Sequence, residues 1–426
     1  MTFKRVVIFF SVLILLPITT YFAIRFVRGE RIDFKTKSFT PTGLLVANSF
    51  PEGASVFIDS KLKTATDDTL NLVPGEYKVG IKKDGFHPWE KSLKIEKELV
   101  TRVEAHLFSS FPSLNSLTYT GAQNPVLSPN GQKIIFSVAS DSATASKRGL
   151  WVLDLGSRPF GLNREPRQII ASTESKDFST TTYQWSPDSK QVLITFPTPT
   201  LKSRLPHQHY LLESDFLSDP ETLIDVSPSL EAILEQWQEE ITLRHQAQLS
   251  KLPTRLLEVL SANTGQITFS PNEKRLLYTA TASATIPDKI SSPLPASSSQ
   301  PETREIKPDG IYVYDLLEDK NFVLPLESLN QKTNQVKGAT TQVNLTPGIA
   351  LENSAYLTWF PTSAHLFIAS ENKVSLVEYD NTNWTDIYTG PFDNGFAFPF
   401  PSGDKVLILA SLGENQPANL YAVGLR

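Results

Sequence analysis

Trp185-Ser186-Pro187-Asp188-Ser189-Lys190-Gln191-Val192-Leu193-Ile194 is one of five stretches built on a single pattern. The others are Leu127-Ser-Pro129-Asn-Gly-Gln-Lys133-Ile-Ile-Phe136, Phe269-Ser-Pro271-Asn-Glu-Lys-Arg275-Leu-Leu-Tyr278, Trp359-Phe-Pro361-Thr-Ser-Ala-His365-Leu-Phe-Ile368 and Pro399-Phe-Pro401-Ser-Gly-Asp-Lys405-Val-Leu-Ile408. The fourth residue after each proline is Lys, Gln, Arg or His, and the next three are apolar in every copy. Proline presets φ and a neighbouring Gly or Asn takes a positive φ, so each copy reads as a β-hairpin. A further strand follows each hairpin: Leu150 to Asp154, Leu211 to Asp215, Ile311 to Asp315, Leu376 to Asp380 and Leu420 to Gly424. A fourth follows most of them, as in Gln168 to Ile170, Phe322 to Leu324 and Asp386 to Tyr388. Four strands per repeat make a blade, and a run of blades makes a β-propeller.

The chain is therefore mainly all-β, with a propeller over 112–426 of five blades; a degenerate sixth in Val336 to Leu351 is the competing count. The repeat prolines lie 58, 84, 90 and 40 residues apart, and the excess over about 40 residues per blade is insertion. One insertion, 228–261, reads as helical. Ser227 can cap it with Pro228 in the first turn, and Leu230, Ile233, Leu234, Trp237 and Ile241 recur at helical spacing. That stripe needs cover, either from the propeller's flank or from a partner docked on Trp237, Ile233 and Ile241. The other insertion, 280–305, is rich in Ser, Pro, Ala and Thr and reads as a disordered loop between the middle strands of the third blade. The last repeat ends after its third strand, so Ser116 to Thr120 is predicted to supply its outer strand and close the ring. The Ser-Pro-Asn/Asp hairpin followed by a strand such as Ile311-Tyr-Val-Tyr-Asp315 resembles the TolB-type, WD-repeat-like β-propellers, from about Asn115 to Arg426. That resemblance implies a fold rather than a function, since propellers both bind and catalyse.

Upstream, 43–108 alternates with period two. Val56 and Ile58 share a face, as do Tyr77, Val79 and Ile81, Leu93 and Ile95, and Val103, Ala105 and Leu107, with charged residues opposite. Pro51-Glu-Gly53-Ala54, Val56-Phe-Ile-Asp59, Leu72-Val-Pro74-Gly75-Glu-Tyr77-Lys-Val79, Gly85-Phe86 and Trp89 together resemble a PEGA domain, with Thr64-Ala-Thr-Asp67 departing from the family's Gly-x-Thr-Pro turn. The resemblance implies a small β-sandwich of surface and envelope proteins that binds or spaces. Phe86 and Trp89 are expected in its core.

Residues 1–28 read as a membrane anchor and 29–42 as a polar stalk. Val6 to Ile24 carries no charge over 19 residues, about 28 Å of helix. The exit lacks the small-residue site of a cleaved signal peptide. Lys4 and Arg5 precede the run and Arg25, Arg28 and Arg31 follow it. Counting basic residues alone favours a cytoplasmic bulk. Against it, a five-residue head offers little to translocate, so the bulk of the chain is expected outside.

Little in the 426 residues points to chemistry. Forty Lys and Arg against 45 Asp and Glu leave a net charge of −5, which excludes a nucleic-acid binder built on a basic face. Zero cysteines exclude thiol catalysis, Cys-based metal sites and disulfides. No Walker loop, nucleophile elbow or His-Glu-x-x-His motif occurs. His207 and His209 would share one strand face as half of a metal site, but no third ligand is placed, so no cofactor, metal or catalytic residue is assigned. His365 occupies the Lys/Arg/Gln position of its repeat and is expected to be exposed; Asp154, Asp215, Asp315 and Asp380 recur at strand exits, where carboxylates bond turns. The reading that results is a membrane-anchored, extracytoplasmic envelope protein, held in the bilayer by residues 6–24, that binds a protein or a cell-wall glycan. The alternative is an extracytoplasmic hydrolase whose carboxylates converge at the propeller's central funnel.

Overall fold

The computed structural model describes residues 3–27, 31–33, 38–139, 145–156, 165–197, 208–292, 300–325, 349–350, 356–370, 372–413 and 416–426. The chain divides into two compact units, Met1–Phe108 with Ser292–Pro301, and Ser109–Ser291 with Glu302–Arg426.

The first unit opens with helix α1, Phe3–Val27. Among the described residues no helix meets the length and hydropathy of a membrane span. Within the expected stalk, Arg31–Asp33 pairs antiparallel with Ser38–Thr40. Next come two sheets. In one, Gly43–Phe50 lies between Asp68–Leu72, antiparallel, and Val100–His106, parallel. The other orders Lys61–Ala65, Ser55–Ile58, Gly75–Lys82 and Trp89–Ile95. The period-two faces read from the sequence form the core between them: Val56, Ile58, Val79, Ile81, Leu93, Ile95, Val103, Ala105 and Leu107 are buried, with Trp89 among them and Phe86 against them. Gly43 has no room for a side chain, because a Cβ there would lie 2.3 Å from the Glu96 carbonyl oxygen.

The second unit holds five sheets, among the described residues, that follow the five repeats, together with one short ladder inside the third. The first blade runs Gln123–Leu127, Lys133–Val138, Gly149–Asp154 and Arg167–Ala171, from inner to outer strand. The second has three strands, Thr182–Trp185, Gln191–Thr195 and His209–Glu213. The third comprises Thr264–Phe269, Arg275–Ala280, Ile311–Asp315 and Lys320–Leu324. The fourth has Tyr356–Trp359, His365–Ser370, Lys373–Glu378 and Thr385–Thr389, with Ile349–Ala350 added inside. The rest of the segment read as a sixth blade lies outside the described residues. The fifth blade is Ala397–Pro399, Lys405–Ala410 and Asn419–Gly424, and its outer strand comes from the start of the unit: Ser113–Ser116 pairs with Tyr421–Gly424. Closure therefore occurs three residues earlier than expected. The chain leaves the ladder after Leu117, because the Thr118 hydroxyl donates to Asn419 Oδ1 (3.0 Å) and accepts the Leu420 N–H (2.9 Å), which ends the pairing.

Apolar clusters join neighbouring blades. Phe136 and Leu153 of the first pack with Leu407 and Leu420 of the fifth, Ile135 and Val152 pack with Val192 and Ile194 of the second, and Val313 and Phe322 of the third pack with Leu357 and Leu366 of the fourth. Between the second and third blades stand the helices α2, Leu230–Leu249, and α3, Thr254–Asn263. Leu256 and Leu260 of α3 cover Leu276, Tyr278, Tyr312 and Tyr314 of the third blade. Ser227 is not the cap predicted for this insertion. Asp225 Oδ1 accepts the Ser227 N–H (2.9 Å), and the Ser227 hydroxyl instead accepts the His209 N–H (3.1 Å). The loop read as disordered over 280–305 is ordered at both ends: Ala284–Thr285 pairs with Glu305–Ile306, and Ile286 and Ile306 are buried. Arg304 holds it in place through Glu302 (3.0 Å) and Asp319 (3.4 Å).

Candidate functional site

Each hairpin is made by the same few bonds. The second residue after the proline is left-handed in all five copies: Gly131 (φ 68°), Ser189 (63°), Glu273 (57°), Ser363 (60°) and Gly403 (66°). In the three Ser-Pro copies, the serine hydroxyl donates to the side chain of the residue after the proline: Ser128 to Asn130 (2.8 Å), Ser186 to Asp188 (2.6 Å) and Ser270 to Asn272 (2.9 Å). The same hydroxyls accept the N–H of Lys133, Gln191 and Arg275 at 2.9–3.0 Å. These bonds pin the prolines at one end of the ring.

Two blade junctions carry a matching pair of locks. The Trp185 indole donates to the Val126 carbonyl and the Trp359 indole to the Thr268 carbonyl, both at 3.0 Å. Asn130 N–H donates to Ser189 Oγ (3.2 Å) and Asn272 N–H to Ser363 Oγ (3.1 Å). At the junction of the second and third blades, α2 and the turn that follows it take this role. Arg244 Nη1 donates to the Pro187 carbonyl (2.8 Å) and Lys251 pairs with Glu273 (2.5 Å).

Between these hairpins and the inner strands lies a cavity of about 280 Å³. Its wall is built from the repeat prolines Pro129, Pro271, Pro361 and Pro401, together with Pro399, Leu127, Asn130, Gly131, Tyr356, Thr358, Trp359 and Phe398. None of these residues is acidic, basic or histidine. Tyr356 and Phe398 lean on each other, with centroids 5.1 Å apart and planes at 34°. The Tyr356 hydroxyl is buried without a hydrogen-bond partner, and burial pushes the phenol well above its ordinary pKa. It stays protonated as a donor with nothing to donate to. Sequence reading missed Tyr356, Thr358 and Phe398; each is one residue of an ordinary inner strand, and only the ring brings them beside prolines of other blades.

The residues singled out by sequence fall elsewhere. Trp237 is 8 % exposed, Ile233 and Ile241 are half-buried, and Leu234 of the same stripe is exposed at 37 %. His207 lies outside the described residues; His209 Nδ1 lies 3.0 Å from the Thr195 hydroxyl. Among the described residues no three His, Asp or Glu group as a metal site. His365 is buried at 2 % exposure, contrary to expectation, with Nδ1 2.9 Å from Thr362 Oγ1 and its ring edge-on to Phe360. Its repeat position faces the acid of the next strand rather than solvent: Arg275 lies opposite Asp315 and bonds it at 2.6 Å, and His365 lies opposite Glu378. The recurrent strand-exit aspartates bond turns and cations. Asp315 accepts the Leu317 and Glu318 N–H groups, and Asp154 and Asp215 bind Arg167 at 3.0 and 2.6 Å.

No curated protein matches the sequence. Solved structures similar to the chain include a putative TolB from Agrobacterium tumefaciens (13 % identity, covering 70 % of this chain and 76 % of that one, TM-score 0.20). TolB from Acinetobacter baumannii is similar at 12 % identity, covering 82 % and 59 %, with a TM-score of 0.20. A prolyl endopeptidase structure is similar at 13 % identity, covering 88 % and 48 %, with a TM-score of 0.21. At such scores the propeller is read from the chain's own sheets. The PEGA domain family matches residues 42–110, the two-sheet module of the first unit.

Proposed function

We propose that this chain is a membrane-anchored envelope protein that binds a protein partner at the hairpin end of its propeller, with the bulk of the chain outside the cytoplasm. The observation that carries this reading is the cavity walled by prolines and aromatic rings from four blades. A pyranose needs several hydrogen-bonding groups around it, whereas the polar side chains of this wall are Asn130, Thr358, a phenol whose hydroxyl is buried and an indole bonded to Thr268. That supports a protein over a glycan. The wall also supplies no carboxylate or imidazole for general acid–base work, which supports binding over hydrolysis. Anchoring is supported by the uncharged run Val6 to Ile24 inside α1 and by large apolar side chains exposed around that helix, among them Phe9, Leu15 and Leu16. The PEGA domain match supports the envelope setting.

The test is photo-crosslinking in cells from a reactive residue placed at Asn130, on the cavity rim, with a second probe at the exposed Leu243 of α2. Discrete protein adducts from 130 and none from 243 are expected, in the membrane fraction. Adducts from 243 alone would overturn the site, and full-length protein in the soluble fraction would overturn the anchor.

A further inference from the structure

We propose that His365 is a pH-sensitive latch on the fourth hairpin: as imidazolium it bonds Glu378 across the ladder and holds the turn, and loss of its proton loosens it. A comparison of the repeats carries this. In four copies the fourth residue after the proline faces an acid on the next strand: Lys133 opposite Asp154, Gln191 opposite Glu213, Arg275 opposite Asp315 and His365 opposite Glu378. Gln191 bonds Glu213 at 2.8 Å and Arg275 bonds Asp315 at 2.6 Å. Of these four residue types only histidine changes charge between about pH 5 and pH 8. Its surroundings are closed to water, with His365 at 2 % exposure and Glu378 and Asp380 at 5 % each. Facing side chains in a ladder start about 5 Å apart, within reach of an imidazole and a glutamate. Burial alone favours the neutral ring, but here the facing carboxylate is buried too, and one proton on the imidazole compensates both. The fourth hairpin also lacks the serine hydroxyl that closes the Ser-Pro copies, because Phe360 stands in its place. The His365 ring lies edge-on to Phe360 with Nδ1 2.9 Å from Thr362 Oγ1, so the imidazole itself ties the turn. Thr358, Trp359 and Pro361 of this hairpin wall the cavity, so the proton on His365 sets how firmly that wall is held.

The other charged groups around the hairpin keep their charge above neutral pH. Lys373 lies at the far end of the strand that carries Glu378, and the inner strand Tyr356–Trp359 brings no charged side chain. From the third blade, Arg275 donates to the Ser363 carbonyl (2.8 Å) and lies over the Tyr379 ring (3.8 Å), with Asp315 and Glu318 beside it. From the fifth come Asp404, Lys405 and Arg426, next to Gly403, where a Cβ would touch Phe360 (3.4 Å). Carboxylates, lysine and arginine do not titrate between about pH 6 and pH 9, and burial keeps the Tyr379 phenol protonated. An imidazole that holds its proton more tightly folded than unfolded gives stability that is complete below its unfolded value, about 6.5. That stability is lost as pH rises through the folded value.

The test is hydrogen exchange of the detergent-solubilised full chain at about pH 6 and pH 9, read by mass spectrometry and corrected for the intrinsic pH dependence of exchange. The third hairpin, 264–280, carries Arg275 at the same position and serves as the internal reference. Protection of 356–370 is expected to fall about tenfold relative to that reference as pH rises, the effect of holding the proton one pH unit more tightly. His365→Arg and Glu378→Gln should each abolish the difference. An equal change in the two hairpins of the unaltered chain, or a rise in protection at the fourth, would overturn the proposal, and neither result depends on a variant folding. A fall that persists in His365→Arg would also overturn it, since another group would then be titrating.

Discussion

Serine, rather than glycine, stands at the left-handed position in the second and fourth hairpins, where its hydroxyl does work that glycine cannot. Ser189 and Ser363 accept the N–H of Asn130 and Asn272 from the preceding blade. Glycine would suit the backbone better and forfeit that bond. The same two blades begin their hairpins with tryptophan, and both indoles bond the blade before. Trp185→Phe keeps most of the apolar ring and removes its donor, leaving the Val126 carbonyl without it; a loss of about 1–2 kcal/mol is expected in urea unfolding. The hairpins also carry a pH dependence. Burial alone would raise the Asp188 carboxyl, but the Ser186 hydroxyl and the Lys190 N–H outweigh it and hold it below the usual carboxylate range. A depressed folded pKa gives stability that is present above the unfolded value, about 4, and lost as pH falls through the folded one. Asp188→Asn should therefore lower the dependence of the urea midpoint on pH below about 4, since Asn130 and Asn272 already serve the same bonds without a charge. The proline and glycine chemistry of these turns was legible in the sequence. The serine hydroxyl network was not, because its partners are set by backbone direction.

At the scale of the element, helical spacing identified the insertion after the second blade but not which of its helices carries the packing. In α2 only Trp237 is buried, while Leu234 and Leu243 are exposed at 37 % and 57 %. In α3 Leu256 and Leu260 are wholly buried on the third blade's aromatic face. The apolar stripe of α2 was visible at 3–4 spacing, but spacing does not reveal how much of a helix faces its support. Leu256→Ala is expected to cost about 2–5 kcal/mol, the range for emptying a core leucine site, whereas Leu243→Ala should stay within about 0.5 kcal/mol. Denaturant midpoints of the two variants compare them directly. The 280–305 segment shows the opposite failure of composition. Its Ser- and Pro-rich run hides Ile286 and Arg304, which with Ile306 just beyond it fasten its ends to the third blade.

For the whole molecule, the repeat made the blades legible and the pairing of Ser113–Ser116 with Tyr421–Gly424 closes them, yet the cavity was beyond reach of the sequence. Its wall combines prolines up to 272 residues apart, Pro129 to Pro401, which become neighbours only when five sheets form a ring. Closure is thus what the proposed binding site depends on, and the absence of cysteine from the 426 residues allows a direct measurement. Ser116 and Tyr421 are paired residues across the closing ladder, and facing strand positions lie within the reach of a disulfide. In the double variant Ser116→Cys, Tyr421→Cys, mild oxidation is expected to consume both thiols within a single chain, giving a monomer by mass and a raised thermal midpoint. Two thiols that stay free, or that join only between chains, would contradict the ring.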